Sequence, residues 1–320
     1  MTAIAQKYGV MREQVVSVPG GVANHVFMLG DELVLRIPRS ADFVADLRKE
    51  VGVIPVARKA GVRTPGIVEF NESLDLIESP YLLLERQPGT DLATRNTTAV
   101  HTGAGHTTAG HSAAGHIAAG HIATPRTADG LWGELGRELD ALHRMTPDSV
   151  GALAGVPIDR PGDPRPGVGD LVRRGYLDAG TARWLVGWFD RLEAGFPADE
   201  RVVLVHGDIA PQNLMVDPQT GDLTGLIDWG DAAWAEPGME FAKLRLRDVA
   251  AVLSGGRYGE VDPTAIAARA LWYHLSWGVS GLAKGPRPSE RHWTAPPASR
   301  LLGLLEFFAN DPPAPWHALV

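Results

Sequence analysis

Short apolar runs crowd the first part of the chain. "QVVSV" (14–18), "HVFML" (25–29) and "ELVLRI" (32–37) read as strands, and Gly30-Asp31 between the last two marks a hairpin. From Ala41 to Ala60 the period changes, with Phe43, Val44, Leu47, Val51, Ile54 and Val56 recurring at helical spacing. After Pro65, "GIVEF" and "YLLLE" return to strand character and end near Arg86. Several strands with one helix predict a small β-rich lobe over residues 1–86, then a hinge and the start of a second lobe over 87–97.

The pattern then dissolves. Histidine recurs at 101, 106, 111, 116 and 121 in a five-residue repeat rich in Ala, Gly and Thr. That period matches neither helix nor strand, so no face stays apolar, and residues 98–128 are expected to be a disordered linker. The repeat also raises the idea of a metal tract, but nothing preorganises the rings, so metal capture there would be adventitious.

Helical spacing returns over 129–320. "LWGELGRELDALHRM" places Leu131, Leu135, Leu139 and Leu142 on one face, and a second helix is predicted over Thr181–Ala194. "VVLV" (202–205), "LMV" (214–216) and "LTGLI" (223–227) read as short strands, the last two joined by the turn sequence "DPQTGD". Beyond Glu240, "FAKLRLRDVAAVL", "AIAARALWYHLSWGVSGLA" and "RLLGLLEFFA" are predicted helices. The second lobe is therefore larger and mainly helical.

Composition narrows the chemistry. The 320 residues carry a net charge of −8, which argues against binding nucleic acid by neutralising its backbone. The absence of cysteine excludes disulfides, thiolate nucleophiles and cysteine-based zinc sites. No signal-like apolar stretch opens the sequence and no run reaches transmembrane length, so a soluble, cytoplasmic protein is expected, with no membrane partner. Oligomeric state leaves no mark in the sequence.

The densest chemistry interrupts an apolar run. "HGDIAPQN" (206–213) sits between two strands, and "LIDWGD" (226–231) follows after the turn. A hairpin would fold Asp228 back beside Asn213, leaving Asp208 as a base and giving a hard cation an amide oxygen and a carboxylate. Magnesium takes such oxygen ligands, and phosphoryl transfer needs charge neutralisation and positioning of this kind.

These two stretches closely resemble the aminoglycoside phosphotransferase and choline kinase-like family, whose signature is H-G-D-x4-N followed by an Asp-Trp/Phe stretch after a hairpin. The likeness spans roughly residues 15–95 and 130–245. It implies an α+β, bilobal, protein-kinase-like fold, with Mg2+ and ATP or GTP as phosphate donor. By the same resemblance Asp208 is the catalytic base, Asn213 and Asp228 hold magnesium, and His206 braces the loop structurally. Gly20, Gly21 and Asn24 in "PGGVANHVF" fall where the family covers the phosphates. The family's phosphate-binding lysine is replaced by Arg36, with Glu50 as helix partner and Arg39 and Lys49 as alternatives. Glu85, Arg86 and Gln87 fall at the hinge, where backbone groups would meet the purine.

For the acceptor, a small molecule bearing a hydroxyl, Asp231, Glu236 and Glu240 are the candidate receptors of substrate ammonium groups. Glu240 also stands where many relatives brace the catalytic loop. All nine tryptophans lie beyond residue 129 and are expected to pack the core, although several lining a cleft would favour a larger acceptor. The leading expectation is an antibiotic O-phosphotransferase with a cationic, aminoglycoside-type substrate. The alternatives are a macrolide or other antibiotic kinase, a metabolic kinase of choline or homoserine type, and a catalytically weak binding protein.

Overall fold

The computed structural model describes residues 2–18, 21–96, 130–151, 153–196, 201–256, 262–284 and 297–320. The histidine repeat, Gly20 and Trp293 lie outside the described residues.

After a short helix α1 (Thr2–Lys7), strands β1 (Val15–Val18), β2 (Asn24–Leu29), β3 (Leu33–Pro38), β4 (Ile67–Asn71) and β5 (Tyr81–Glu85) form one antiparallel sheet in the order β1-β2-β3-β5-β4. The turn at 30–32 pairs Leu29 with Leu33, and β3 then sets Arg36 opposite Leu82 on β5. Alternation along these strands sorts the side chains. Leu35, Tyr81 and Leu83 pack with Ile4 and Leu29 on one face, while Leu82 and Leu84 turn to the other. Arg36 follows Leu35, so it points to the second face, where helix α2 (Val44–Lys59) lies.

Helix α2 starts after a 3-10 turn at Ala41–Phe43 and buries Leu47, Glu50, Val53, Ile54 and Ala57. A glutamate thus lies inside an apolar stripe, fully buried, because Arg36 waits opposite it.

A separate polar knot ties α1 to the sheet. Glu69 accepts from Lys7 at 2.6 Å, from Tyr8 at 2.5 Å and from Tyr81 at 3.0 Å. Burial pushes the Glu69 carboxyl up, but these donors outweigh it and bring it down to about 2 from 4.5. A depressed carboxyl contributes stability above its unfolded value that is lost as pH falls through the folded one. Replacing Glu69 by Gln should therefore lower the urea midpoint at pH 7, and the gap from wild type should shrink as pH falls from 4.5 toward 2. An equal gap at both ends would refute the ionised knot.

The rest of the described chain is built on helices α3 (Leu131–Leu142), α4 (Arg165–Arg173), α5 (Ala179–Ala194), α6 (Leu246–Gly255), α7 (Pro263–Leu282) and α8 (Ser299–Ala309). Two small sheets insert among them. Strands β6 (Thr90–Asp91), β8 (Leu214–Val216) and β9 (Leu223–Leu226) form one, and β7 (Val203–Val205) pairs with β10 (Ala233–Ala235) in the other. The predicted leucine face of α3 is the buried one, with Leu135, Leu139 and Leu142 fully covered. Trp132, Trp188, Trp229, Trp234, Trp272 and Trp316 are also buried in the core. Helices α3 and α6 cross at backbone contact, since a Cβ on Gly136 would meet the Val252 carbonyl and one on Gly255 the Gly133 carbonyl.

The stretch "FAKLRLRDVAAVL" departs from the single helix predicted for it. A 3-10 segment runs over Pro237–Lys243, Leu244 and Arg245 are extended, and α6 begins only at Leu246. Two extended residues break the hydrogen-bond ladder and re-aim the chain. No helix among the described residues is long and apolar enough to cross a membrane.

Candidate active site

The hairpin β8–β9 mounts the site. Leu214 pairs with Leu226, and the Ile227 amide donates to the Asn213 carbonyl at 3.0 Å, so Asp228 emerges beside Asn213. His206 is fully buried at the start of the preceding loop. Its Nε2 lies 3.0 Å from the Ile227 carbonyl, and its Nδ1 accepts from the Asp208 amide at 3.3 Å. These two contacts tie the loop to the hairpin. At Gly207 φ is 79°, and a Cβ would strike the Asp231 carbonyl, so glycine lets the loop pass.

Asp208 is gripped at both oxygens. Lys243 Nζ lies 2.5 Å from Oδ1, and Asn213 Nδ2 donates to Oδ2 at 2.8 Å and to the Asp208 carbonyl at 2.9 Å. Asn213 thus spends its amide hydrogens on Asp208, and its side-chain oxygen is the atom that could take a cation. Asp228 takes left-handed backbone, φ 69° and ψ 73°, which costs a non-glycine residue about 1–2 kcal/mol. Trp229 holds that geometry in place: its buried indole donates to Thr64 Oγ1 at 2.8 Å, and its ring lies 4.5 Å from that of His206.

Across from Asp228 stands Arg36. Its guanidinium lies 2.5 Å from Glu50 and 2.7 Å from Asp228 Oδ1. Two carboxylates share one cation, and their surroundings separate them. Burial pushes the Glu50 carboxyl up to about 8 against the pull of Arg36. Burial also raises Asp228, but Arg36, His206 and Lys243 outweigh it and hold that carboxyl below its ordinary value. Of the two carboxylates, Asp228 is the half-exposed one, within reach of solvent. Lys49 adds a second link, donating to the Gly230 carbonyl from α2.

No group of three His, Cys, Asp or Glu residues forms a metal cage among the described residues. The donor set here is an amide oxygen and one carboxylate, which suits a magnesium ion that keeps waters and phosphate oxygens in its shell.

Residues 14–274 match the phosphotransferase enzyme family. The chain belongs to that family. It is a kinase-type phosphotransferase with the family's α+β architecture, a β-sheet N-terminal region and a helical C-terminal part. Its fold is similar to that of aminoglycoside 2'-phosphotransferase-IIIa in its GDP complex, with TM-score 0.67, 22% identity and 97% of each chain covered. It is also similar to macrolide 2'-phosphotransferase MphH from Brachybacterium faecium, with TM-score 0.55, 19% identity, and 97% of this chain and 96% of that one covered. A relative in sequence is the uncharacterized protein YcbJ of Bacillus subtilis (strain 168), 33% identical over 107 residues. The match takes in 32% of this chain and 33% of that protein.

Several candidates sit otherwise than the sequence suggested. Glu240 is buried and accepts from the His206 amide at 2.7 Å and the Gly207 amide at 3.0 Å, so it grips the loop and cannot meet a substrate cation. Glu236 is spent too: it caps the 3-10 segment through Gly238 and faces Arg269 at 3.3 Å. Of the three acidic residues assigned to substrate, Asp231 alone is open to solvent. In the N-terminal sheet region, Gly21 takes φ 74° and its carbonyl accepts from Arg39, whereas Asn24 is buried and its side-chain oxygen is turned inward. At the hinge, Glu85 donates its amide to the Gly66 carbonyl, Arg86 donates its own to the Glu32 carbonyl, and the Gln87 side chain holds the Thr224 carbonyl. Sequence reasoning missed Lys243 altogether. Its only signal was a lysine three residues after Glu240, meaningless until the 3-10 segment is folded.

Proposed function

We propose that this phosphotransferase moves the γ-phosphoryl group of ATP or GTP onto a hydroxyl of a small molecule, and that an antibiotic of aminoglycoside type is the first acceptor to test. One observation carries the reading: Asp208, Asn213 and Asp228 converge at the ends of β7, β8 and β9, and Arg36 from β3, paired with Glu50 of α2, meets Asp228. The nucleotide-bound and aminoglycoside-modifying neighbours support it.

In this mechanism Asp208 orients the acceptor hydroxyl and accepts its proton as the new bond to the γ-phosphorus forms and the bond to the β–γ bridging oxygen breaks, releasing ADP or GDP. Asn213 and Asp228 would hold Mg2+, which when bound would neutralise the phosphate oxygens. Arg36 carries a fixed positive charge toward the same phosphates, and its fork replaces the point charge of a lysine. Loop and hairpin hold these groups still, so little reorganisation is left for the moment of transfer. The division at residues 86–97 would place the nucleotide between the sheet and the helical part.

A second acceptor class, of macrolide type, is supported by the likeness of the fold to macrolide 2'-phosphotransferase MphH.

The deciding experiment is magnesium-dependent transfer from ATP and GTP to a panel of aminoglycosides, macrolides and amino alcohols, read by mass. A phosphorylated antibiotic establishes the reading and names the acceptor, whereas transfer only to an amino alcohol makes this a metabolic kinase. Asp228→Ala should weaken magnesium-dependent nucleotide binding by about 10–100-fold, the range that disturbed metal shells reach. Unchanged binding by calorimetry would remove Asp228 from the metal site.

A further inference from the structure

Lys243 is unlike the other cations near the site. It closes the 3-10 segment Pro237–Lys243, the same segment whose Glu240 grips the His206 and Gly207 amides. One seven-residue element therefore seizes the loop backbone and, three residues later, the Asp208 carboxylate. The lysine stem is largely covered, and its ammonium stands 2.5 Å from Asp208 Oδ1 and 3.5 Å from Asp231 Oδ2.

An aspartate has two free torsions, and a single hydrogen bond leaves its carboxylate able to rotate. Here Asn213 holds Oδ2 and Lys243 holds Oδ1, so the plane of the carboxylate is fixed. Charge matters as well. Asp208, Asp228 and Asp231 are three carboxylates on one short stretch of surface, and a phosphoryl group brings further negative charge. Arg36 offsets Asp228, while Lys243 is the cation facing the other two.

We propose that Lys243 is a positioning residue of phosphoryl transfer: it aims the Asp208 carboxylate at the acceptor hydroxyl and offsets the charge of Asp208 and Asp231 as the phosphoryl group passes. This rests on the phosphotransfer reading above. A lysine that merely stapled the 3-10 segment would act through folding and binding, and not through the rate of the transfer step.

The test uses the full chain with Mg·ATP and the first panel member that the wild type phosphorylates. Lys243→Met should lower kcat about 100-fold with both KM values within about threefold of wild type, the pattern of a lost transition-state interaction. Lys243→Arg, which keeps the charge, should recover at least about tenfold of that loss. In an Asp208→Ala background Lys243→Met should cost almost nothing more, because the two act as one unit. Lys243→Gln replaces the Met variant if the latter does not fold, as judged by thermal midpoint. Wild-type kcat in Lys243→Met overturns the proposal. So does a loss that appears only in KM, or one that arginine fails to rescue and that adds fully to Asp208→Ala. Absence of transfer by the wild type is a different failure, which sinks the phosphotransfer reading itself before any variant is compared.

Discussion

Asp208→Ala should reduce phosphoryl transfer by about a thousandfold or more while nucleotide affinity stays within about threefold, because a positioned base contributes 10²–10⁴ to rate and little to ground-state binding. The fold should survive the change. Asp208 is held by Lys243 and Asn213 at a partly open site, and a lysine losing that partner still has Asp231 3.5 Å away. Single-turnover kinetics with calorimetric nucleotide binding separate the two quantities. Near-normal turnover in the variant would remove Asp208 from the chemistry, and a matching collapse of nucleotide binding would recast it as part of the nucleotide site.

Glu240→Ala should be the most destabilising change near the site, at about 3–5 kcal/mol, because removing one partner of a buried charged network strands the others. Its carboxylate is buried and accepts from the His206 and Gly207 amides, with His143 Nε2 at 3.4 Å. Burial pushes the Glu240 carboxyl up, but His143, His206 and the backbone donor pull it below its ordinary value, so it works as an anion. Deletion leaves the buried His206 amide and the part-buried Gly207 amide without this acceptor, a buried one costing about 1–3 kcal/mol. The loss is a large share of the roughly 5–15 kcal/mol that holds a domain folded. Glu240→Gln retains one acceptor and should lose much less. A urea midpoint unchanged in Glu240→Ala would refute the grip, and activity would then be free to vary independently of it.

How much of this was legible before folding differs from residue to residue. Strands β2, β3 and β5 announced themselves by apolar runs and a Gly-Asp turn, since local rules decide them. "HGDIAPQN" and "LIDWGD" were legible because the spacing of their polar groups is set by a hairpin whose strands are only three and four residues long. Glu50 was reached only through the resemblance, as the helix partner of Arg36, and its burial within an apolar stripe became visible with the fold. Glu236 as a substrate receptor, and the same reading of Glu240 beside its loop-bracing alternative, failed for a physical reason. A carboxylate in a sequence looks the same whether it meets solvent or two buried amides, and the amides of 206 and 207 are more than thirty residues away. Lys243 failed in the same way, compounded by the extended residues Leu244 and Arg245 that replaced the expected helix.

The crossing of α3 and α6 sets a limit of another kind. Where two helices touch through Gly133, Gly136 and Gly255, backbone lies against backbone with no side chain between them to give way. Even one methyl group there must push α6 outward, and α6 is joined through Leu244 and Arg245 to the segment carrying Lys243 and Glu240. The seam is therefore a spacer of fixed thickness, and residues remote from the chemistry help to set where Lys243 and Glu240 stand.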